Sequence, residues 1–251
     1  DVTVTDDLTV TDDATIGGDL NVNSIVQTTT SDGDMIFKGN DGGSTITALT
    51  LDMSAAGAAT FNNKITTTQV DFSSSSYDNR QLGIDSSGLF VYNVADSAYD
   101  LKQDDTGALT LPRQPAFLVK PASAQNNIPI NTTTTIVLGT EVYDVNADFA
   151  SNTFTAPVTG KYQLCLQVSM QNLDTATDYY QLDIVTSNRE YQFLYDPTHH
   201  SADVTYAVFT VSALADMDAS DTAFARLYIP NSGAAQADVT TSTYFSGFLA
   251  C

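Results

Sequence analysis

Residues 153–168 read Thr153-Phe-Thr-Ala-Pro-Val-Thr-Gly-Lys-Tyr-Gln-Leu-Cys-Leu-Gln-Val168, and this stretch decides the fold class. Two strand-like runs, residues 153–155 and 162–170, flank a segment that contains proline and glycine, the residues that favour turns. Aromatic and β-branched residues are typical of strands, and no stretch of the chain shows convincing 3.6-residue apolar spacing. The chain is therefore predicted to be all-β.

The same alternation of short strands and turns continues over residues 117–249. Turn-forming pairs such as Asn126-Asn127 and Asp196-Pro197 separate the runs at short intervals. About nine short strands in one compact unit predict a β-sandwich or jelly roll over residues 114–251. The other predicted strands are residues 117–119, 134–138, 179–185, 191–195, 204–211, 222–229 and 243–249.

The composition argues against two classes of partner. Nine basic and 30 acidic side chains give the 251-residue chain a net charge of −21. Sequence-independent binding to nucleic acid or to an anionic membrane depends on Lys and Arg meeting phosphate, so neither is expected. The chain contains no apolar run of about 18 residues, so no membrane span is predicted. Asp provides 28 of the acids, and Asp favours turns and caps, which agrees with strands joined by tight turns.

The first 24 residues repeat with a period of six. The first two copies read Asp-Val-Thr-Val-Thr-Asp and Asp-Leu-Thr-Val-Thr-Asp, and two looser copies follow up to Ser24. Each copy offers only two apolar side chains, so it cannot bury its own face, and neighbouring copies must stack or other chains must supply the missing partner. Several identical chains that share one thin core are the economical solution, so we predict a hexad-repeat β-shaft over residues 1–24. The alternative is a disordered acidic leader.

Residues 25–113 are predicted to form β-hairpin shaft or neck modules, whose number stays open. The strand-like run of residues 34–38, for example, is followed by the glycine-rich turn of residues 39–43. Four serines at residues 73–76 suit a loose connection. Prolines within residues 112–115 mark the boundary to the compact domain, because proline interrupts a ladder. The predicted domains are residues 1–24, 25–113 and 114–251.

Three phrases in the compact domain resemble the C1q/TNF-like family. Residues 143–149 followed by 153–162 look like the motif that leads into a central strand of that family. Residues 216–224 resemble the loop before its penultimate strand, although Ser220 replaces the usual glycine. Residues 243–249 carry the Phe-Ser-Gly of its closing strand. The resemblance covers just over half of the chain and implies a ten-strand jelly roll that assembles as a tight homotrimer.

The resemblance also implies core or packing roles. Gly160 would make a tight turn, and Tyr162 would start the central strand. The residues that carry over in this way are Phe154, Pro157, Gly160, Tyr162, Phe245, Gly247 and Phe248.

The two cysteines, Cys165 and Cys251, are too few for a disulfide scaffold. The residues alone leave two interpretations open: two small, inert hydrophobic side chains, or one bridge that ties down the terminal strand and indicates an oxidising setting. The family resemblance implies that the strand of Cys165 lies beside the last strand, which would make the cysteines neighbours.

The N-terminal half resembles tail-fibre and virion structural proteins of bacteriophages. The likeness is carried by the Asp-rich hexads and by residues 36–43 and 49–61. A shaft joined to a trimeric knob implies an extracellular virion fibre that joins other virion proteins through sequence upstream of Asp1. Its head would attach to a glycan or protein of the host surface. The alternatives are a secreted C1q-like adhesion or recognition module and a purely architectural fibre without a receptor.

No motif predicts catalysis, and the chain is predicted not to be an enzyme. It lacks a Gly-rich phosphate loop, a nucleophile elbow and zinc-ligand spacing, although a depolymerase remains a distant alternative. Aromatic and polar residues on loops of the head are the candidates for ligand contact. Several of these tyrosines must belong to the core. The histidines are candidates for contact with a ligand or a metal, and the alternative for them is a plain surface loop. The candidates are Tyr179, Tyr180, Tyr191, Tyr195, His199 and His200.

Asp216, Asp218 and Asp221 cluster in one predicted loop and form a candidate Ca²⁺ site, because hard cations prefer several oxygen ligands. Their spacing does not match an EF-hand. The alternative is a set of solvated acids that keeps a fibre soluble. No other cofactor is expected.

Overall fold

Over its described residues, the computed structural model consists of strands joined by turns and two short 3-10 helices, which confirms the all-β prediction. The chain forms two compact units, residues 1–68 and residues 69–251. Within the part of the chain that the structure describes, no helix has the length and apolar character needed to cross a bilayer. The described residues are 10, 14–23, 25–55, 57–62, 65, 67, 69–72, 78–86, 88–231, 233 and 236–250.

The first unit contains a three-stranded antiparallel sheet in the order β1-β2-β3. Gly42 and Gly43 close its first hairpin with φ of +59° and +94°, a conformation that glycine adopts without steric cost. The predicted hairpin is confirmed, but its turn is shorter than predicted because β1 continues through Asp41. The strands are β1 (Met35–Asp41), β2 (Ser44–Asp52) and β3 (Ala58–Phe61).

Most of the hexad repeat lies outside the described residues, so the shaft over residues 1–24 stays a prediction. Its described part, Val10 and residues 14–23, contains no strand and exposes its apolar side chains. The connection predicted at residues 73–76 also lies outside the described residues.

The second unit opens with a five-stranded antiparallel sheet, called here the neck sheet, whose spatial order follows the chain order. Among the described residues before Phe117, Phe90 of this sheet is the only buried hydrophobic side chain. One sheet by itself therefore leaves most of its apolar surface uncovered. The strands are β4 (Gln69–Phe72), β5 (Arg80–Asp85), β6 (Gly88–Asn93), β7 (Ala98–Gln103) and β8 (Leu109–Thr110).

Residues 116–250, called here the jelly-roll domain, fold into two antiparallel sheets. Sheet I has the order β12-β13-β18-β15-β16, with β10 beside β18, and sheet II has the order β11-β9-β20-β14-β17, with β19 beside β14. The strands are β9 (Ala116–Lys120), β10 (Thr134–Thr135), β11 (Thr140–Asp144), β12 (Phe149–Ala150), β13 (Thr153–Thr155), β14 (Gly160–Leu173), β15 (Tyr180–Thr186), β16 (Glu190–Tyr195), β17 (Val204–Met217), β18 (Thr222–Tyr228), β19 (Asp238–Val239) and β20 (Tyr244–Leu249).

The jelly roll predicted from strand and turn spacing is confirmed, with twelve strands among the described residues instead of about nine. The prediction missed β11, β12 and β19. Two of these strands have only two residues each, too few to show a two-residue period.

The core of the domain lies between the two sheets. Phe117 of sheet II stacks on Phe154 of sheet I, with ring centroids 4.6 Å apart, and meets Phe245 edge-on at 5.1 Å. Phe149 of sheet I packs against Phe117 at 5.3 Å. These four rings interlock the sheets, and aromatic pairs in such geometries stabilise a core beyond the area that they bury.

Polar contacts tie the neck sheet to the jelly-roll domain. The Arg113 guanidinium donates to Asp96 of the neck sheet at 2.5 Å, and the Asn146 amide donates to the Arg113 carbonyl at 3.0 Å. The Gln114 amide donates to the Leu249 carbonyl. Residues 112–115 lie between the neck sheet and β9, and the division into compact units falls between residues 68 and 69, so the predicted domain bounds stay a prediction.

Candidate functional site

Most of the residues assigned to packing by the family resemblance lie in the core. Phe154, Tyr162 and Phe245 are buried, and the Tyr162 hydroxyl donates to the Val158 carbonyl at 2.8 Å. Burial raises the pKa of Tyr162 above its usual value.

The two motif glycines have different roles. A Cβ on Gly247 would lie 2.7 Å from the Leu164 side chain and 2.8 Å from the Phe117 ring, so the close packing of β20 requires a glycine there. Gly160 is the first residue of β14 and pairs with Met217, so it belongs to a strand and not to the predicted turn.

Two of the predicted packing residues lie at the surface of the chain. Phe245 and Gly247 face the core, so Phe248, one residue further along β20, points outward and is 50% exposed. Pro157 is exposed in the connection between β13 and β14. In the single chain these two residues therefore lie outside the core, and a packing role for them stays a prediction.

The tyrosines predicted to contact a ligand mostly face the core instead. Tyr191 and Tyr195 lie on the inward face of β16 and pack against the core, with the Tyr195 ring 4.8 Å from that of Phe209. Tyr180 is buried, and its burial raises its pKa to about 12. Tyr179 is partly exposed and its ring lies 6.3 Å from that of Tyr228. The assignment of Tyr180, Tyr191 and Tyr195 to exposed loops is therefore wrong.

His199 and His200 lie at the end of β16, where Pro197–His199 form a 3-10 helix. The Asp196 carboxylate caps this helix by accepting from the Thr198 backbone N–H at 2.9 Å. His199 is exposed, and the His200 Nε2 contacts the Tyr195 hydroxyl. The two imidazoles are therefore at the surface, as a loop position requires, and ligand contact by them stays a prediction.

The three aspartates proposed for Ca²⁺ do not converge. Asp216 lies in β17, not in a loop, and its carboxylate pairs with Arg189 at 2.7 Å. The Asp221 carboxylate accepts from the Asp218 backbone N–H at 2.9 Å and thereby closes the turn. Over the described part of the chain, no group of three acidic, histidine or cysteine side chains is placed to hold a metal ion. The structure therefore does not form the predicted site.

The strand that contains Cys165 does lie beside the last strand, as the resemblance implies, and Cys165 pairs in register with Ser246. Cys251 lies outside the described residues, so the bridge between the two cysteines stays a prediction.

The outer face of sheet II stands out as a surface with uncovered apolar side chains. Alternation along β17 turns Phe209 and Val211 into the core, while Tyr206, Val208 and Leu214 point outward and are largely exposed. In register, Leu214 lies opposite Gln163 of β14, and Gln163 lies opposite Phe248 of β20. We call the outward side chains of β14, β17 and β20 the assembly face.

Charge is depleted on this face, although the chain carries a net charge of −21. From Gln163 to Gln171, the outward residues of β14 are Gln, Cys or Ser, and the residues opposite them on β17, from Tyr206 to Leu214, are all uncharged. The Gln163 side-chain amide donates to the Ser212 hydroxyl at 2.8 Å. These two polar groups at the centre of the face are therefore uncharged and hydrogen-bonded to each other. Depletion of charge with enrichment of aromatic and aliphatic residues is typical of the core of a protein interface.

The sequence of β17 does indicate the assembly face, because it departs from the simple alternation of apolar and polar residues. In the predicted strand of residues 204–211, apolar residues occur at both even and odd positions, as at Val208 and Phe209. A strand that is apolar on both faces is typical of burial on both sides. In the single chain only one side of β17 is covered.

A buried ion cluster lies on the outer side of sheet I, and no sequence motif predicted it. The Asp183 side chain is fully buried, and its carboxylate accepts from the Arg226 guanidinium at 2.7 Å and from the Gln181 amide at 3.0 Å. Arg226 also reaches Glu190 at 2.8 Å. Asp183 and Arg226 pair directly across β15 and β18, so the sheet register positions the cluster.

The comparison with known families now identifies the domain. The C1q domain family matches residues 116–250 of this chain. The chain belongs to the C1q domain family. No curated protein sequence matches the chain.

Two solved structures are similar to this chain over about half of its length. The globular domain of zebrafish complement 1qA protein is 17% identical, with 55% of this chain and 98% of that chain covered and a TM-score of 0.40. Murine APRIL is 10% identical, with 54% and 98% covered and a TM-score of 0.39.

Proposed function

We propose that this chain is a homotrimeric recognition or adhesion module that acts outside the cell, and that it serves as a structural virion fibre whose C1q head attaches to the host surface. The proposed activity is binding without catalysis. The observation that carries the proposal is the assembly face, whose centre is uncharged and which exposes Tyr206, Val208, Leu214 and Phe248 in a strongly acidic chain.

Assembly through this face accounts for two features at once. It covers the outward side of β17, which a single chain leaves bare, and each fully buried large apolar side chain contributes roughly 1.5–3 kcal/mol. It also joins three chains, each with a charge of −21, through a surface from which charge is depleted. The acids then stay in solvent, where salt screens their repulsion.

A trimer also explains how such a module binds a surface. Three copies carry three equivalent contact sites, so the second and third binding events become intramolecular. Weak contacts to a surface glycan or protein, including any made by His199 and His200, then add up to stable attachment. The Asp-rich hexads and their resemblance to phage fibre proteins support the fibre role.

The first test measures the oligomeric state of the full chain by multi-angle light scattering. The variant Leu214→Glu places a charge in the assembly face, where the side chain is 57% exposed in the single chain. We expect this variant to weaken the trimer by at least roughly tenfold, because like charges brought together in an interface cost several kcal/mol.

The matched control is Leu194→Glu, since Leu194 is 53% exposed on β16 in sheet I. The control should leave the trimer intact. A wild-type chain that is a folded monomer at micromolar concentration, or two variants with equal dissociation, would refute the proposed assembly.

The second test concerns attachment. The full chain is applied to a glycan array and to whole bacterial cells, and we expect the trimer to bind at least one of them while Leu214→Glu binds far less through loss of avidity. Genes for virion structural proteins beside the gene of this chain would support the fibre role. Genes for secreted proteins of a cell at that place would contradict it.

A further inference from the structure

The neck sheet carries a second uncovered apolar face, and we propose that this face packs against the same face of the other copies of this chain. The inference rests on the proposed homotrimer and extends it to a second, separate interface. It also assigns a role to residues 69–110, which the family match at residues 116–250 does not include.

The register of the neck sheet places its apolar residues on one side. Val70 lies opposite Leu82, Leu82 lies opposite Val91, and Val91 lies opposite Leu101, so the row crosses four neighbouring strands. Residues directly opposite each other in antiparallel strands share a face. The neighbouring row adds Ile84, which lies opposite Leu89.

This apolar face is open in the single chain. Ile84 is 65% exposed, and Phe72, Leu82 and Leu109 are exposed as well. The sheet contributes one side chain, Phe90, to the buried hydrophobic residues, and Phe90 lies on the other side. A small sheet with one bare apolar face is at best marginally stable in water, and it gains stability when a second layer covers that face.

On the opposite face of the neck sheet, the side chains contact one another. The rings of Phe90 and Tyr92 each meet Tyr99 edge-on, with centroids 5.6 Å and 5.2 Å apart. The Tyr99 hydroxyl donates to Asp85, and the Lys102 ammonium lies 4.8 Å from the Tyr99 ring centre. This face is therefore polar and aromatic, and it suits solvent.

The partner that we assign to this apolar face is the same face of another copy of the chain. Arg113 and Gln114 bind the neck sheet to the C1q domain, so trimerisation of that domain holds three neck sheets at high local concentration. The charge of Arg80 at one end of the apolar face is neutralised by Asp100 at 2.6 Å. Two such faces can therefore meet through their aliphatic rows.

The same arrangement occurs independently in the first unit. Phe37 lies opposite Leu49, and Leu49 lies opposite Phe61, so an apolar row crosses all three strands of that sheet. Phe37 and Phe61 are exposed. Two unrelated small sheets in one chain thus each leave one apolar face bare, which indicates a shared requirement for partners of the same kind.

The test uses chemical cross-linking of the full chain in a background with Cys165→Ser and Cys251→Ser. Single cysteines are placed at neighbouring positions on opposite faces: Ile84→Cys and Asp85→Cys on β5, and Val70→Cys and Asp71→Cys on β4. A short bis-maleimide is added to each purified protein, and covalent dimers are quantified on denaturing gels. Light scattering reports the oligomeric state of the same samples.

We expect trimers in which Ile84→Cys and Val70→Cys give several-fold more covalent dimer than their neighbours. Trimers with equal cross-linking on both faces would overturn this inference and leave the proposed C1q trimer standing. A wild-type chain that is monomeric by the same light scattering would overturn both. Greater cross-linking at Asp71→Cys and Asp85→Cys than at their neighbours would show that the polar face meets the partner, and would likewise overturn the inference.

Discussion

The C1q domain and the neck sheet are built from the same kind of strand but differ in what covers them. In the C1q domain two six-stranded sheets face each other, and all but one of the buried hydrophobic side chains of the described chain lie there. The neck sheet has five strands, and the described residues of its unit form no second layer on it. The comparison teaches that alternating apolar residues define a face, while stability depends on what the face meets.

This difference predicts where the chain is sensitive to substitution. Core residues of the C1q domain are enclosed by their own chain, so their loss opens a cavity. Residues of the neck sheet are exposed until partners arrive, so the same substitutions act mainly on assembly. A residue enclosed in the C1q domain is therefore compared with a matched residue outside its core, and each effect is measured on the full chain.

The largest effect is expected for Phe117→Ala, because the Phe117 ring contacts the rings of Phe149, Phe154 and Phe245. The free energy of unfolding of the C1q domain should fall by about 3–5 kcal/mol. Urea denaturation followed by circular dichroism measures this loss. Phe72→Ala in the neck sheet is the control and should lower the stability of the C1q domain by less than half as much. Equal losses would break the comparison.

The next effect concerns two arginines with different surroundings. Arg226→Ala leaves the carboxylate of Asp183 buried without its cation, which should cost about 3 kcal/mol in urea denaturation. Arg113→Ala removes a cation that pairs with Asp96 at the surface, and it should leave the unfolding midpoint of the C1q domain nearly unchanged. A small effect of Arg226→Ala would show that solvent reaches Asp183.

A smaller loss is expected when a methyl group is added to a packed glycine. Gly247→Ala places a Cβ within 3 Å of Leu164 and Phe117, so the core must shift at a cost of about 1–3 kcal/mol. Gly39→Ala on β1 is the matched change, because no atom beyond its chain neighbours lies within 4 Å of its Cβ position. Thermal unfolding should distinguish them, and a neutral Gly247→Ala would contradict the close packing of β20.

The smallest effect depends on pH. Burial, reinforced by the charge of Asp144, raises the pKa of Asp148 above its usual 3.8. The folded state therefore holds this proton to a higher pH than the unfolded state does. The resulting stabilisation is complete below pH 3.8 and is lost as pH rises through the folded pKa.

Asp148→Asn should consequently raise the urea midpoint of the C1q domain at pH 7, and the gain over the wild type should shrink as pH falls towards 3.8. Asp105→Asn, at an exposed turn after β7, is the control and should change little at either pH. A gain that is the same at both pH values would exclude titration of Asp148 as its cause.

Sequence reasoning predicted the strands of the jelly roll better than it predicted their surfaces. The two-residue apolar period around Tyr162 and Phe245 is a local property of a strand, and these residues lie in the core. Tyr191 packs against the core instead of lying in an exposed loop, and Phe248 points outward instead of into the core. A tyrosine near a strand end looks the same in the sequence whether it points inward or outward.

The sequence does not predict most of the candidate site, for a related reason. The three aspartates at positions 216, 218 and 221 are close along the chain, but β17 continues through Met217 and directs Asp216 towards Arg189. The assembly face combines β14, β17 and β20, which are far apart along the chain. No spacing rule brings such residues together.

By itself, the amino-acid sequence determined that this protein is all-β, strongly acidic and rich in tight turns, because strand period, turn chemistry and charge are local properties. Only the tertiary structure decided that one sheet of the C1q domain exposes a charge-depleted face with bare apolar side chains and that the neck sheet leaves its aliphatic row open. The physical reason is that burial is a property of pairs of surfaces, and the strand register and sheet order that create those surfaces arise from contacts between residues far apart in the chain.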